Sequence, residues 1–218
     1  MTKLSAKLIA LTQPLIELRV PNVEGLVAYC ARISNPQHQD KELGSLLDYC
    51  IRNKHWSVFE MANAVVEVEA PRDISRQLLR HRSFSFQEFS QRYSDKIEFT
   101  DREFRRQDTK NRQNSIDDLD QFDKDYSEMA VENVKQVVKT YYQQMKNGDV
   151  AKECARVILP EGLTMSRLMI NGTLRSWLHY LEVRDDEGVT QWEHVVLARK
   201  IREVLEPAFP TVFRGLKK

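Results

Sequence analysis

The sequence predicts an α+β fold in which helices pack around a small, mostly antiparallel sheet within a single domain. Short strand-like segments stand at residues 7–12, 64–70 and 163–170, and 64–70 alternates valine with glutamate as a half-buried strand does. The 218 residues are enough to bury one hydrophobic core. Only seven glycines are present and no Gly-x-Gly-x-x-Gly run occurs, so no Rossmann unit is expected.

Most of the remaining chain has apolar residues at every third or fourth position, the period of an amphipathic helix. This pattern predicts helices over residues 22–33, 40–53, 72–82, 123–145, 150–159, 171–184 and 191–206, with Asn22 and Asp149 as caps of the first and fifth. Residues 95–121 are highly charged, which indicates a surface loop, and residues 207–218 are expected to form a short terminal cap.

The composition is that of an ordinary globular protein, with 41% hydrophobic and 30% charged residues. The formal net charge is +1, so neither nucleic acid nor a membrane surface is an expected partner. Three widely spaced cysteines without a CxxC pair indicate reduced thiols, with Cys50 and Cys154 expected in the core. Without a signal peptide or a membrane-spanning apolar run, the expected location is the cytoplasm.

The segment Arg80–Tyr93 (RHRSFSFQEFSQRY) is too charged for a hydrophobic core and too aromatic for an idle surface loop. Guanidinium forks, hydroxyls and amides suit a phosphate group and a planar heterocycle. If the segment is extended, Glu88, Ser90 and Arg92 share one face. The segment therefore predicts a binding site for a phosphorylated, planar ligand.

An Arg80-His81-Arg82 triplet followed after seven residues by Ser90 resembles the signature of the flavin-dependent thymidylate synthases. The resemblance extends to residues 52–60 and 152–184. The sequence departs from the family pattern at four places: Val58 stands where proline is frequent, Met61 where histidine is frequent, Thr173 where asparagine is frequent, and the histidine often found before Gln191 is missing.

The resemblance implies an activity, a cofactor and an assembly. The reaction would methylate dUMP to dTMP with methylenetetrahydrofolate as the one-carbon donor and NADPH as the reductant. Electrons would pass through FAD, which supplies the redox chemistry while the protein supplies binding and orientation. The implied assembly is a homotetramer whose active sites are shared between subunits.

The resemblance also implies site residues. Contacts with FAD are implied for Ser34, Ser57, Arg80, His81, Arg82, Glu88, Thr173, Arg175 and His179. Contacts with the nucleotide are implied for Gln77, Leu78, Leu79, Arg80, Glu88, Phe89, Ser90, Gln91, Arg92, Arg156 and Arg184. The candidate catalytic residues are Arg184, Ser90 and His55, and no metal ligand is expected.

Several of these residues also have an ordinary structural interpretation. Ser34 precedes Asn-Pro and fits a turn, His55 fits a structural histidine, and Arg156 fits a solvated helix position. Two roles are open for Ser90: a covalent nucleophile or an orienting hydrogen-bond donor. Its neighbours are an acid, amides and arginines, and a serine without a base is a poor nucleophile, which favours the orienting role.

Three other classes of function remain open from the sequence. Phenylalanines interleaved with arginines in residues 80–93 suit a module that stacks single-stranded nucleic acid, although the balanced charge opposes it. A metal-dependent hydrolase would use His55, His81, His179 and His194, but no HExxH spacing is present. A nucleotide-binding relative without catalysis would be consistent with the departures from the family pattern.

Overall fold

The computed structural model describes residues 2–33 and 43–216, so the predicted site residue Ser34 lies outside the described residues. The strands are β1 (Ser5–Leu11), β2 (Asn63–Pro71), β3 (Ser85–Glu88), β4 (Arg106–Gln107), β5 (Ser115–Ile116) and β6 (Met165–Thr173). The helices are α1 (Val23–Ala31), α2 (Leu43–Arg52), α3 (Arg72–Leu79), α4 (Gln121–Asn147), α5 (Lys152–Ala155), α6 (Leu174–Arg184), α7 (Trp192–Leu205) and α8 (Pro210–Leu216). Single 3-10 turns cover residues 16–18, 56–61 and 156–158.

A four-stranded sheet in the order β1-β2-β6-β3 forms the centre of the fold, and each neighbouring pair is antiparallel. The pairing of β2 with β6 runs from Asn63 opposite Thr173 to Pro71 opposite Met165. The predicted α+β class is therefore confirmed. Within the described ranges every strand pair is antiparallel, so no parallel Rossmann unit is found there.

Helices cover one face of this sheet and build the core. Val66 and Val68 of β2 are fully buried, because alternate residues of a strand point to the same face. Trp177 of α6 packs above them and donates its indole N–H to the Ala64 carbonyl at 3.2 Å. The C-terminal segment does more than cap the fold, since Phe209 and Phe213 are fully buried in the same core.

Two local predictions are wrong. Asp149 does not cap a helix: its φ of 56° is left-handed, and the predicted 150–159 helix is only α5 followed by a 3-10 turn. The predicted helix start at residues 171–173 belongs to β6 instead, because these residues pair with β2 and β3. Thr173 then caps α6, its hydroxyl oxygen accepting the Ser176 N–H at 3.2 Å.

The 27-residue helix α4 is confirmed, but its apolar stripe faces outward. Tyr142 is its only fully buried residue among those described. A row of large apolar side chains at intervals of three to five positions is exposed on another face: Phe122, Tyr126, Met129, Val134, Val137 and Tyr141. An apolar helix face without a partner in its own chain indicates contact with another chain.

The cysteines differ in exposure. All three cysteines are free, and Cys50 is buried as predicted, but Cys154 is exposed rather than in the core. Across residues 2–33 and 43–216, none of the helices combines the length and apolar character that crossing a bilayer requires.

Candidate active site

The turn that leads from α3 into β3 is fixed by an aromatic contact. Phe84 is buried, and its ring lies directly over Gly172 of β6, where a Cβ atom would overlap it. The same ring packs against Trp177 with 4.5 Å between centroids. Since Phe84 follows the Arg80-His81-Arg82 triplet, this contact anchors the most family-like segment of the chain to the sheet.

Arg184 and His81 form a hydrogen bond at the end of α6. The Arg184 Nε–H donates to His81 Nε2 at 2.9 Å. An arginine N–H can only donate, so His81 Nε2 is unprotonated here. Burial, with the positive charge of Arg184 next in importance, lowers the pKa of His81 to about 4. His81 is thus a neutral acceptor, and Arg184 carries the positive charge of the pair.

A chain of hydrogen bonds crosses the interior beside this pair. His194 Nε2 lies 3.1 Å from the Tyr180 hydroxyl, and His194 Nδ1 lies 3.1 Å from Gln77 Oε1. Gln77 Nε2 donates to Gln191 Oε1 at 2.7 Å, and Gln191 Nε2 donates to Glu193 Oε2 at 3.0 Å. Tyr180 and His194 are fully buried. We call these five residues the buried relay.

The carboxylate of Glu193 fixes the direction of every bond in the buried relay. Burial alone would raise the pKa of Glu193, but its hydrogen bond from Arg105 at 2.6 Å and the nearby Arg102 lower it overall. An ionised carboxylate only accepts, so Gln191 donates to it, Gln77 donates to Gln191, and His194 donates from Nδ1 to Gln77. His194 Nε2 then accepts from the Tyr180 hydroxyl, and burial lowers the pKa of His194 to about 3.

A cavity of about 220 Å³ lies where β3, β6 and the start of α3 meet. Its lining brings together five of the predicted nucleotide-binding residues with three that were not predicted. The Ser166 hydroxyl donates to Glu88 Oε1 at 2.7 Å, and Arg72 Nη1 donates to Gln91 Oε1 at 2.7 Å. We call this space the anion cavity, and its lining residues are Arg72, Glu88, Phe89, Ser90, Gln91, Arg156, Met165 and Ser166.

Ser90 sits just outside the sheet. Strand β3 ends at Glu88 and a turn follows, so the predicted single face shared by Glu88, Ser90 and Arg92 is wrong. The Ser90 Oγ accepts the Arg92 backbone N–H at 3.3 Å. Across the part of the chain that the structure describes, no histidine or carboxylate is hydrogen-bonded to the Ser90 hydroxyl. The geometry suits an orienting hydroxyl rather than an activated nucleophile.

A larger groove of about 600 Å³ runs along α6 and the 3-10 turn at residues 56–61. Two predicted cofactor-binding residues, Arg175 and His179, line it, and Arg175 is paired with Glu60. Trp56, Leu178 and Leu181 provide apolar walls. We call this space the α6 groove. Apolar walls with a few polar groups are typical of sites that hold a planar organic cofactor.

Several predicted residues are not brought into either space. His55 and Ser57 are exposed and line neither the anion cavity nor the α6 groove. Arg80 and Arg82 are also exposed, and within the described ranges neither has an ion pair. Leu78 is fully buried in the core, and its side chain lines neither space. Leu79, Arg92 and Thr173 also line neither space.

Sequence reasoning missed several residues of these sites, including Arg72, Ser166 and His194. Arg72 and Ser166 line the anion cavity, and His194 holds Gln77. Arg72 directly follows Pro71 at the end of β2, and His194 directly follows the Gln-Trp-Glu motif. For Arg72 and His194, a position next to a recognisable sequence feature could have indicated a role. No comparable sequence feature marks Ser166.

The chain is similar in sequence to one protein family over most of its length. A family model described as thymidylate synthase complementing protein matches residues 15–211. A flavin-dependent thymidylate synthase of Synechocystis sp. is 44% identical over 216 residues, covering 98% of this chain and 100% of that one. A probable flavin-dependent thymidylate synthase of Paramecium bursaria Chlorella virus 1 is 45% identical over 219 residues, covering 98% and 99%.

Solved structures share the fold. A UMP/dUMP methylase, PolB from Streptomyces cacaoi, solved with 5-bromo-dUMP bound, superposes with a TM-score of 0.82. The match covers 100% of this chain and 96% of that one at 22% identity, so the likeness concerns the fold alone.

Proposed function

The chain belongs to the family of flavin-dependent thymidylate synthases, and on this premise we propose that it methylates dUMP to dTMP with FAD as its cofactor. One observation carries the assignment of the site. The eight-residue helix α3, about 12 Å long, begins with a residue of the anion cavity and carries Gln77 of the buried relay near its other end. One short helix therefore carries a group that can bind a phosphate at its start and a group that can bind a pyrimidine ring near its end.

The α6 groove fits a flavin. Its apolar walls at Trp56, Leu178 and Leu181 suit a planar ring system, and Arg175 and Arg202 suit phosphate groups. Arg175 and His179 would hold the flavin from α6, with Ser83 at the rim. When bound, the flavin supplies the redox chemistry that no amino-acid side chain provides.

The anion cavity would hold the phosphate of dUMP. Arg156, the Ser90 hydroxyl and the Gln91 amide converge there, and Arg92 stands at the adjoining turn. Forked guanidinium groups bind phosphate with charge-assisted hydrogen bonds. Glu88, already an acceptor for Ser166, has lone pairs left for a sugar hydroxyl.

The buried relay would present Gln77 to the pyrimidine. One N–H of the Gln77 amide goes to Gln191 and one lone pair of its oxygen goes to His194. One donor and one acceptor therefore remain, which match the alternating carbonyl and imide N–H groups at the edge of uracil. The relay holds the amide in this single orientation.

Arg184 would polarise the pyrimidine. Arg184 donates one of its five N–H groups to His81, which leaves four for a ligand. Since His81 is neutral, the full positive charge of Arg184 is available to favour the deprotonated imide and to increase electron density on the ring. Burial lowers the pKa of Arg184, but not enough to discharge a guanidinium near neutral pH.

We further propose methylenetetrahydrofolate as the one-carbon donor and NADPH as the reductant, as the family implies. Flavin-loaded protein should show an oxidised flavin absorbance band that NADPH bleaches. Formation of dTMP, followed by chromatography, should require dUMP, the folate and NADPH together. Protein that binds FAD and dUMP but forms no dTMP would instead be a nucleotide-binding relative without catalysis.

The proposed assembly is a homotetramer with active sites shared between subunits. The outward apolar row on α4 supports an interface, and the exposed His55 and Ser57 would complete a neighbouring subunit's site. A Val137→Asp change in this row should dissociate the assembly and release the flavin, as measured by light scattering and absorbance. Gln143→Asp, on the polar side of α4, is the matched control. A monomer that retains its flavin would contradict the shared site.

A further inference from the structure

Arg72 is a cation placed in the anion cavity for which the family resemblance gives no role. Its backbone is fixed by the sheet: Pro71 pairs with Met165, and the Arg72 N–H donates to the Thr164 carbonyl at 2.9 Å. Its side chain is held by the Gln91 amide oxygen at 2.7 Å. The guanidinium is thus presented to the cavity by a strand end rather than by a flexible loop.

The charges around the cavity are unbalanced. The guanidinium groups of Arg72 and Arg156 face a single carboxylate, Glu88, whose Oε1 already accepts from Ser166. Within the described residues, no carboxylate oxygen lies within 4.0 Å of a guanidinium nitrogen of Arg72 or Arg156. Two cations that converge without a carboxylate partner favour an anion between them.

The other arginines near this end of the fold are paired. Arg76, one turn further along α3, pairs with Glu161. Arg92 Nε lies 3.3 Å from a Glu153 carboxylate oxygen, and Arg102 Nη2 lies 3.0 Å from Asp73. Arg72 differs from all three, although carboxylates are plentiful on the same surface.

We propose that Arg72 binds the phosphate group of the nucleotide substrate directly, opposite Arg156 in the anion cavity. This inference rests on the proposed function, because it takes dUMP as the occupant of the site. It adds a phosphate ligand on α3 that selects a nucleoside monophosphate over the free nucleoside. Of the cavity's forked cations, Arg72 is the one whose position the central sheet fixes.

The test compares dUMP with deoxyuridine, which lacks only the phosphate. Calorimetric titration of the FAD-loaded protein should show that Arg72→Gln weakens dUMP binding roughly 10- to 100-fold, the loss expected for a charge-assisted hydrogen bond. Deoxyuridine binding should change less than about twofold, because only the phosphate contact is removed. Arg76→Gln, on the same helix but paired with Glu161, is the matched control and should bind both ligands as the unchanged protein does.

Three results would overturn the proposal. Arg72→Gln could bind dUMP normally, or it could lose dUMP and deoxyuridine to the same extent, which would indicate a structural role. An Arg72→Gln change that causes no further loss of dUMP affinity in a Gln91→Leu background would show that Arg72 acts only through its bond to Gln91. If the unchanged, FAD-loaded protein fails to bind dUMP at all, the proposed function fails instead.

Discussion

The buried relay and the exposed arginines just after α3, Arg80 and Arg82, are built in opposite ways. In the relay, Tyr180, His194 and Gln77 satisfy one another inside a single chain, down to the tautomer of the histidine. In the loop, Arg80 and Arg82 are exposed and have no ion pair within the described ranges. The hydrogen bonds of the relay are satisfied without a ligand, whereas the positive charges of the two arginines are available to bind one.

The contrast indicates that the relay contributes to stability and orientation, and that the exposed arginines contribute to ligand binding. A buried network whose hydrogen bonds are all satisfied resists rearrangement, because any change leaves a buried polar group without a partner. The relay therefore fixes the orientation of Gln77. Exposed cations cost little to keep unpaired, because water solvates them, and they gain most when a phosphate arrives. Substitutions in the first region should therefore reduce the free energy of unfolding, and substitutions in the second should reduce binding alone.

The largest expected effect comes from the aromatic contact that joins the two regions. Phe84→Ala removes a buried ring packed over Gly172 and against Trp177, and should lower the free energy of unfolding by about 3–5 kcal/mol. Urea denaturation followed by circular dichroism would measure it. Phe89→Ala, at a ring that is 40% exposed, should cost much less. Equal losses would show that Phe84 does not anchor the loop.

A smaller effect is expected from the end of the buried relay. Tyr180→Phe keeps the ring but leaves His194 Nε2 buried without a donor, at a cost of about 1–3 kcal/mol. Tyr93→Phe, at a ring that is 83% exposed, is the matched control and should change stability by less than about 0.5 kcal/mol. Urea denaturation of both variants would measure the difference, and a stable Tyr180→Phe protein would contradict the relay.

The relay also predicts a dependence of stability on pH. The pKa of His194 falls to about 3 in the folded protein, chiefly through burial and then through Arg184 and His81, against about 6.5 when unfolded. Between these values the unfolded state binds more protons, so stability falls with falling pH, by about 1.4 kcal/mol per unit from His194.

Denaturation at pH 6.5, 5.5 and 4.5 would measure this slope, which lies within the window between the two pKa values. His194→Gln removes this titrating group while keeping a side chain that donates and accepts. The difference in unfolding free energy between the two proteins should therefore narrow as pH falls. A constant difference would mean that His194 is protonated in the folded state.

Periodicity predicted the elements well because each element buries its own stripe. Strand β2 and helix α6 follow the predicted alternation and the predicted three-to-four spacing. The α4 stripe shows the limit of this reasoning, since periodicity identifies an apolar face without saying which chain covers it. Asp149 shows a second limit: a capping residue type also suits a left-handed turn, and here the turn prevailed.

The site was predictable where a contiguous motif carries it and obscure where sheet register assembles it. Glu88, Ser90 and Arg156 were recognised from their segments and meet in one cavity. Arg72 and Ser166 join them because Pro71 pairs with Met165 and Ala70 with Ser166, a relation that spans about half the chain. Local patterns carry no information on such a pairing.

Ser90→Ala should leave stability within about 0.5 kcal/mol of the unchanged protein, because the hydroxyl accepts only one N–H, at 3.3 Å, at a turn. If the hydroxyl orients the nucleotide, dTMP formation should slow but remain measurable. Complete loss of turnover with intact binding of dUMP and FAD would indicate a covalent nucleophile. Stopped assays by chromatography, with binding measured by calorimetry, separate the two roles.

The smallest effect on folding is expected where the loop is most exposed. Arg82→Gln removes a cation with no ion pair among the described residues, so the free energy of unfolding should change by less than about 0.5 kcal/mol. If Arg82 contacts the flavin of a neighbouring subunit in the proposed assembly, affinity for FAD should nevertheless fall, because a charge-assisted contact is lost. Arg106→Gln, at a half-exposed arginine paired with Asp118, is a control that should leave both quantities nearly unchanged. If Arg82→Gln destabilises the fold as Tyr180→Phe does, Arg82 has a structural role. The proposed division between a relay that supports the fold and arginines that only bind ligands would then be wrong.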